Sequence, residues 1–272
     1  MSFVQAIILG IIQGITEFLP ISSSGHLVLT PALLGWHIPP EQIFPFDVLV
    51  QLGTLVAVIV YFWKDLWQIL TAVIQGVINK KPLEQKNAKL GWFIILATLP
   101  AVFAGFLLKD IVESTFNSPL MTSIFLFITA VLLFLSEARQ KQTKPLNQLK
   151  WLDALTIGFF QMLAIFPGIS RSGSTIAGGI FRNINRKDSA KFSFLMSIPV
   201  MIGAGLFSIP DLFQIQDLSA FLPNMLVGFF TAMVVGYISI HWLFKFLTNN
   251  SLKGFAVYCI VLGLIGILFL YS

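Results

Sequence analysis

A chain of 272 residues that is 56% hydrophobic and 11% charged, with a mean hydropathy of +0.86, is too apolar for a soluble globular domain and falls in the polytopic membrane class. The formal net charge of +5 does not point to a nucleic-acid partner, because the basic residues fall between apolar segments, as in the cytoplasmic loops of membrane proteins. The single cysteine, Cys259, excludes an intrachain disulfide and lacks metal-ligand spacing, so it reads as a small lipid- or core-facing residue.

No Lys or Arg precedes Lys64, so the first apolar stretch lacks the basic flank of a cleavable signal and is expected to stay in the mature protein. That stretch, residues 3–35, is cut near its middle by Pro20-Ile21-Ser22-Ser23-Ser24-Gly25. Each arm has about 15 residues, or about 22 Å of helix, short of a roughly 30 Å hydrocarbon core, so a re-entrant hairpin fits better than a span. After a proline-rich link come expected spans at about 47–63, 90–108 and 119–136, with a basic loop at 64–89 and a short one at 109–118. A second long apolar stretch, 152–181, is cut by Pro167-Gly168-Ile169-Ser170-Arg171-Ser172. Three further spans are expected at about 192–209, 222–244 and 254–271.

The distribution of charge decides how the second stretch sits. If 152–181 does not cross, fifteen of the seventeen basic residues are cytoplasmic, only Lys109 is outside, and Arg171 lies within the hairpin. If it crosses, the basic loops 139–150 and 182–191 fall on opposite sides and the bias is lost. The non-crossing layout is therefore expected, with both termini outside.

The two hairpins also match in sequence. At an offset of 148, Gly10, Gln13, Ile21, Ser22, Ser24 and Gly25 meet Gly158, Gln161, Ile169, Ser170, Ser172 and Gly173. One hairpin plus three spans gives an odd number of crossings, so the halves, about 1–138 and 150–272, are expected to be inverted repeats in one membrane domain. The fold expected is thus all-α. Broken helices of inverted repeats commonly meet near the midplane, so the hairpin tips should approach each other, the first from outside and the second from the cytoplasm.

Where the second copy has Ile165, Arg171 and Ser174, the first has Glu17, Ser23 and His26. One tip supplies a carboxylate and an imidazole, the other a cation. Gln13 and Glu17, four apart, share a helical face and could hold a divalent cation or orient a base; pairing of Glu17 with Arg171 is the alternative. His26 reads either as a packing histidine or as a nucleophile or base. The glycine-containing turn around Gly168, opening a helix beside a guanidinium, reads as an anion cradle, against a kinked helix whose arginine only pairs with a carbonyl.

Q-G-I-T-E at 13–17, F-L-P-I-S-S-S-G-H at 18–26, F-D-V-L-V-Q-L-G-T at 46–54 and P-G-I-S-R-S-G-S-T at 167–175 closely resemble the signatures of the undecaprenyl-diphosphate phosphatase family of the bacitracin-resistance type, over the whole chain. The resemblance implies a membrane hydrolase that converts the C55 isoprenyl diphosphate carrier of cell-wall synthesis to its monophosphate, with Mg²⁺ or Ca²⁺, on the outer side of the bacterial cytoplasmic membrane. It makes Glu17 the acidic metal or base residue and His26 and Ser23 the nucleophile and its helper. Arg171, Ser170, Ser172, Thr175 and Gly168 become the diphosphate clamp. Gln13 stands where many members carry Glu, and its amide would bring a metal no charge. The expected partners are a polyprenyl diphosphate and membrane lipids, with a homodimer left open. The rival reading is an inverted-repeat transporter or flippase of a polyprenyl phosphate or other anion.

Overall fold

The computed structural model describes residues 1–116, 118–138, 143–207 and 218–271, and among them the fold is all-helical. In hydrocarbon every backbone donor and acceptor must be satisfied within the segment, which is what the long apolar runs achieve by coiling. The helices in chain order are α1 (Phe3–Thr16), α2 (Ser23–Leu33), α3 (Pro40–Tyr61), α4 (Trp63–Ile78), α5 (Lys86–Leu107), α6 (Lys109–Phe116) and α7 (Pro119–Glu137). They continue with α8 (Trp151–Leu163), α9 (Arg171–Phe181), α10 (Arg186–Phe207), α11 (Leu218–Phe246) and α12 (Lys253–Tyr271). Five of these, α5, α7, α10, α11 and α12, are long and apolar enough to cross a membrane, and the bent pair α3 and α4 raises the number to six. This is a multi-pass membrane protein. α1–α2 and α8–α9 are the short-armed hairpins expected from the two interrupted stretches.

The 64–89 segment is not the open basic loop expected from its lysines. Its first half is α4, turned 78° from α3 at Phe62. Ile69, Ala72 and Gly76 are buried on one face, while Trp63, Trp67, Leu70 and Ile74 are exposed on the other. The lysines hid this period because most of them cluster beyond the helix, at 80–89. The 109–118 loop likewise carries a short helix, α6, and α10 begins at Arg186, six residues before the expected span. Much of the 210–221 loop lies outside the described residues.

Each hairpin packs its first arm on a span from the other half of the chain: α1 lies along α11, and α8 along α5. The glycine of the shared G-x-x-Q pattern makes both approaches possible. A Cβ on Gly10 would come within 2.8 Å of the Gly228 carbonyl oxygen, and one on Gly158 within 2.5 Å of that of Ala97. α7 and α12 pack together and complete the frame around both second arms.

On one face of the molecule, polar loops are cross-braced. The backbone of Lys144 bonds to that of Asn183 and Asn185, and Asp153 receives Lys144 Nζ together with Arg182 Nε at 2.7 Å. Glu137 accepts Arg186 Nε at 2.8 Å and the Leu252 amide at 3.1 Å, and Lys191 reaches Asp65 at 2.6 Å. The loops before α8 and after α9 therefore lie on the same side, as a non-crossing second hairpin requires. Burial acts to raise the Asp153 carboxyl, but hydrogen bonds from Lys144, Arg182 and the Lys150 amide outweigh it and hold the group below its ordinary value.

Candidate active site

The repeated I-S-x-S-G pattern folds to the same helix cap twice. Ser22 Oγ accepts from the Gly25 amide at 3.2 Å and Ser170 Oγ from the Gly173 amide at 3.0 Å, each opening the second arm of its hairpin. The tips meet. A Cβ on Gly25 would lie 3.4 Å from Gly168 Cα, and one on Gly173 would lie 3.4 Å from Pro20 Cβ. Ser172 Oγ donates to the Leu19 carbonyl at 3.0 Å, tying one tip to the other.

Between the tips the Glu17 carboxylate is the hub. Its Oε1 accepts from Arg171 Nη2 at 2.6 Å, and its Oε2 accepts from Ser23 Oγ at 2.6 Å and Gln13 Nε2 at 3.0 Å. The Glu17 side chain is 3% exposed and that of Arg171 15%, so the pair is largely withdrawn from its surroundings. Phe18, fully buried against Phe194 with ring centroids 5.1 Å apart, pins the backbone directly after the carboxylate. Arg171 also donates from Nη1 to the Ser193 carbonyl at 3.4 Å. The pairing weighed against a metal role for Glu17 is thus present, and it is embedded in a wider polar cluster.

The remaining clamp residues use their hydroxyls within the protein. Ser170 is the α9 cap, Ser172 holds Leu19, and Thr175 Oγ1 donates to the Arg171 carbonyl at 2.7 Å and lies 2.6 Å from Ser193 Oγ. Gly168 has φ +97°, and a Cβ there would meet the Thr122 carbonyl oxygen at 2.3 Å, so only glycine fits this turn. Thr129 Oγ1 donates to the Gly168 carbonyl at 2.9 Å and accepts from the Ser170 amide at 2.8 Å. Ser172, Gly173 and Ser174 of the first turn of α9 are buried, and only the Arg171 guanidinium keeps partial exposure there.

His26 stands apart from this hub. Its Nδ1 lies 2.7 Å from the Ser22 carbonyl and its Nε2 2.7 Å from Tyr258 Oη. Sequence reasoning missed Tyr258, Ser193, Thr129 and Thr54, the last at 3.5 Å from Gln13 Nε2. Ser193, Thr129 and Thr54 carry short hydroxyls of the kind that usually only bond back to their own helix, and Tyr258 reads as one more aromatic of an apolar span. Thr54 alone carried a signal, as the end of the 46–54 run.

The residues can be tested against a divalent cation. Among the described residues no three His, Cys, Asp or Glu side chains converge on one point. Yet Gln13 Oε1 is buried with no hydrogen-bond partner, on the side chain whose Nε2 touches Glu17. That amide oxygen, the Glu17 carboxylate and Ser23 Oγ are the hard oxygen donors that Mg²⁺ and Ca²⁺ take, and a small protein set suits a cation completed by substrate phosphate. The residues fit such an ion.

The model of the bacitracin resistance protein BacA family matches residues 6–265. The chain belongs to the BacA family. Relatives in it include the undecaprenyl-diphosphatase of Corynebacterium striatum, 44% identical over 266 residues that cover 97% of this chain and 93% of that one. The undecaprenyl-diphosphatase of Methanosphaera stadtmanae is 43% identical over 277 residues, covering 98% of each chain. In this BacA-family chain, both signature motifs recognised in the sequence lie at the hairpin tips, and the residues they bring together are Gln13, Glu17, Ser23 and Arg171.

Proposed function

We propose that this chain hydrolyses undecaprenyl diphosphate to undecaprenyl phosphate and inorganic phosphate, recycling the lipid carrier of cell-wall synthesis and conferring bacitracin resistance. The observation that carries the mechanism is the Glu17 carboxylate, held at once by a hydroxyl of its own hairpin and by the guanidinium of the facing one. An incoming diphosphate, with its greater charge, competes with Glu17 for Arg171, whose planar fork matches two phosphate oxygens. Relieved of the guanidinium, Glu17 keeps its 2.6 Å bond from Ser23 and is placed to take the proton of that hydroxyl as the oxygen attacks the terminal phosphorus. The bridging P–O bond breaks and undecaprenyl phosphate leaves with that proton. Water, giving its proton to Glu17, then cleaves the phosphoserine, returning the proton to Ser23 and releasing inorganic phosphate. Arg171 and the positive end of the α9 dipole stabilise the charge on the phosphoryl oxygens. A divalent cation held by Glu17 and Gln13 would neutralise phosphate charge that one arginine cannot.

In this reading the prenyl chain lies along the apolar walls between spans, and the halves about 1–138 and 150–272 are inverted repeats. The reciprocal packing of α1 on α11 and α8 on α5 supports that arrangement. The protein sits in the cytoplasmic membrane with its cross-braced basic face inward and the site open to the outer side. A carrier or flippase is less well supported, because transport alone gives no use for a hydroxyl bonded to a carboxylate beside the arginine.

The test is phosphate release from a long-chain isoprenyl diphosphate by the purified protein, with Mg²⁺ and after chelation. Release that stops on chelation and returns with the cation is expected; no release under any condition overturns the reading. Substrate labelled in its terminal phosphate should leave acid-stable label on the protein through Ser23, whereas acid-labile label would move the attack to His26.

A further inference from the structure

Both ring nitrogens of His26 are engaged, and the partners fix the tautomer of the neutral ring. A carbonyl oxygen can only accept, so the bond to Ser22 requires the proton on Nδ1. Nε2 of the neutral ring is then an acceptor, and among the described residues the donor it meets is the Tyr258 hydroxyl. The two rings are within 6° of parallel with centroids 5.6 Å apart. With Oη and Nε2 2.7 Å apart the ring planes cannot be a van der Waals thickness apart, so the rings lie side by side and the phenol points into the lone pair.

The fold does not require this pair. In the second hairpin the residue equivalent to His26 is Ser174, whose amide makes the same bond to its cap, Ser174 N to the Ser170 carbonyl at 2.8 Å against His26 N to the Ser22 carbonyl at 3.2 Å. Ser174 Oγ, however, is buried with no partner at all. The same hairpin architecture therefore forms with no imidazole and no phenol. Tyr258 lies on α12, 232 residues from His26, and is 43% exposed while His26 is 7% exposed, so the phenol stands on the open side of the imidazole.

We propose that Tyr258 is a positioning residue for the reaction: its hydroxyl and the Ser22 carbonyl together fix the plane and tautomer of His26, with Nε2 presented as the working nitrogen. The inference rests on the proposed hydrolysis and on His26 acting in it as the helper that the family resemblance implies, beside the Glu17–Ser23 pair. Orientation of this kind acts on turnover more than on substrate affinity.

Three measurements test it together. In Tyr258→Phe, which keeps the ring and its packing, kcat should fall about tenfold with KM within about a factor of two. In a His26→Gln background the same change should cost nothing further. In protein labelled with ¹⁵N-histidine, which has three histidines, the His26 Nε2 resonance should move in Tyr258→Phe while its Nδ1–H signal stays. Wild-type kcat in Tyr258→Phe, a loss that persists in the His26→Gln background, or an unmoved Nε2 resonance would each overturn the proposal. If His26→Gln alone keeps wild-type kcat while the Nε2 signal still responds to Tyr258→Phe, the contact is real but the reading of His26 as a site residue has failed, and the positioning role falls with it.

Discussion

The first and second hairpins use one local design and reverse the chain in different ways. Both cap their second arm with the serine of I-S-x-S-G, and both bond the amide opening their first arm to the side chain three residues on, Ser2 to Gln5 at 2.7 Å and Lys150 to Asp153 at 2.8 Å. The second hairpin places its left-handed residue at Gly168, where glycine adopts φ +97° without penalty. The first has Pro20 at the matching position, and a proline ring cannot take positive φ. The left-handed residue moves instead to Ser22, at φ +71°, a strained conformation for a residue with a side chain. That strained serine also supplies the carbonyl for His26 Nδ1, while its neighbour Ser23 reaches Glu17. The comparison teaches that the relaxed copy serves as support and the strained copy carries the acid, the hydroxyl and the imidazole.

The largest effect expected from breaking this division is at Glu17. Glu17→Gln should lower kcat/KM by on the order of 10³, since it removes the proton acceptor while keeping an oxygen for Arg171. Ile165→Gln, which puts the same amide at the matching position of the second hairpin, should leave kcat at the wild-type level. Arg171→Lys keeps the charge but loses the fork, and turnover should fall by about 10². Wild-type turnover in the lysine variant would make Arg171 a point charge or counter-ion and remove the cradle.

Smaller effects should appear in stability, measured as thermal unfolding in detergent. Gly168→Ala should cost about 3 kcal/mol from its positive φ, more if the backbone of Thr122 cannot retreat. Asp153→Asn should cost about 1–2 kcal/mol, because the carboxylate at the base of the second hairpin receives Lys144 and Arg182 together, whereas Gln5 at the matching place serves only its own helix cap. The Asp153 carboxyl is held below its ordinary value of about 3.9, so its contribution is complete above that pH and is lost as pH falls through the folded value. The gap between wild type and Asp153→Asn should therefore be constant between about pH 5 and 8 and close only below about pH 4. The smallest contrast is Ser22→Gly against Ser170→Gly. Relief of the positive φ should leave the first neutral or stabilised, while the second, at φ −64°, should lose a few tenths of a kcal/mol or more.

The features legible in the sequence were those with a local signature. Proline, glycine and serine inside apolar runs announced both hairpins, and the exchange of Ile165 for Glu17 and of Ser23 for Arg171 announced opposite charges that meet. The balance of lysines and arginines placed the 139–150 and 182–191 loops on one side, as the Lys144, Asp153 and Arg182 contacts have them. What escaped is long-range or subtle. Tyr258 has no mark of its own among apolar neighbours, and its meaning arises only from a contact across the fold. α4 was hidden because the lysines that follow it drew its residues into a loop. The displacement of the left-handed residue from position 20 to Ser22 follows from one proline, but only once the matching turn is seen.

The clasp between Glu17 and Arg171 joins residues 154 apart, and this separation has a consequence in time. A ribosome working at about 5–20 residues per second needs roughly 8–30 s to make the intervening chain. For that interval the first hairpin has its carboxylate and no counter-ion, and a charge at depth in hydrocarbon costs about 2.5–3.5 kcal/mol. That cost favours a tip held near the headgroups until the arginine emerges, so the amino-terminal segment, among the first made, is expected to reach its place late. A nascent chain stalled before residue 171 should leave position 23 open to water-soluble thiol reagents, and one stalled after residue 207 should protect it.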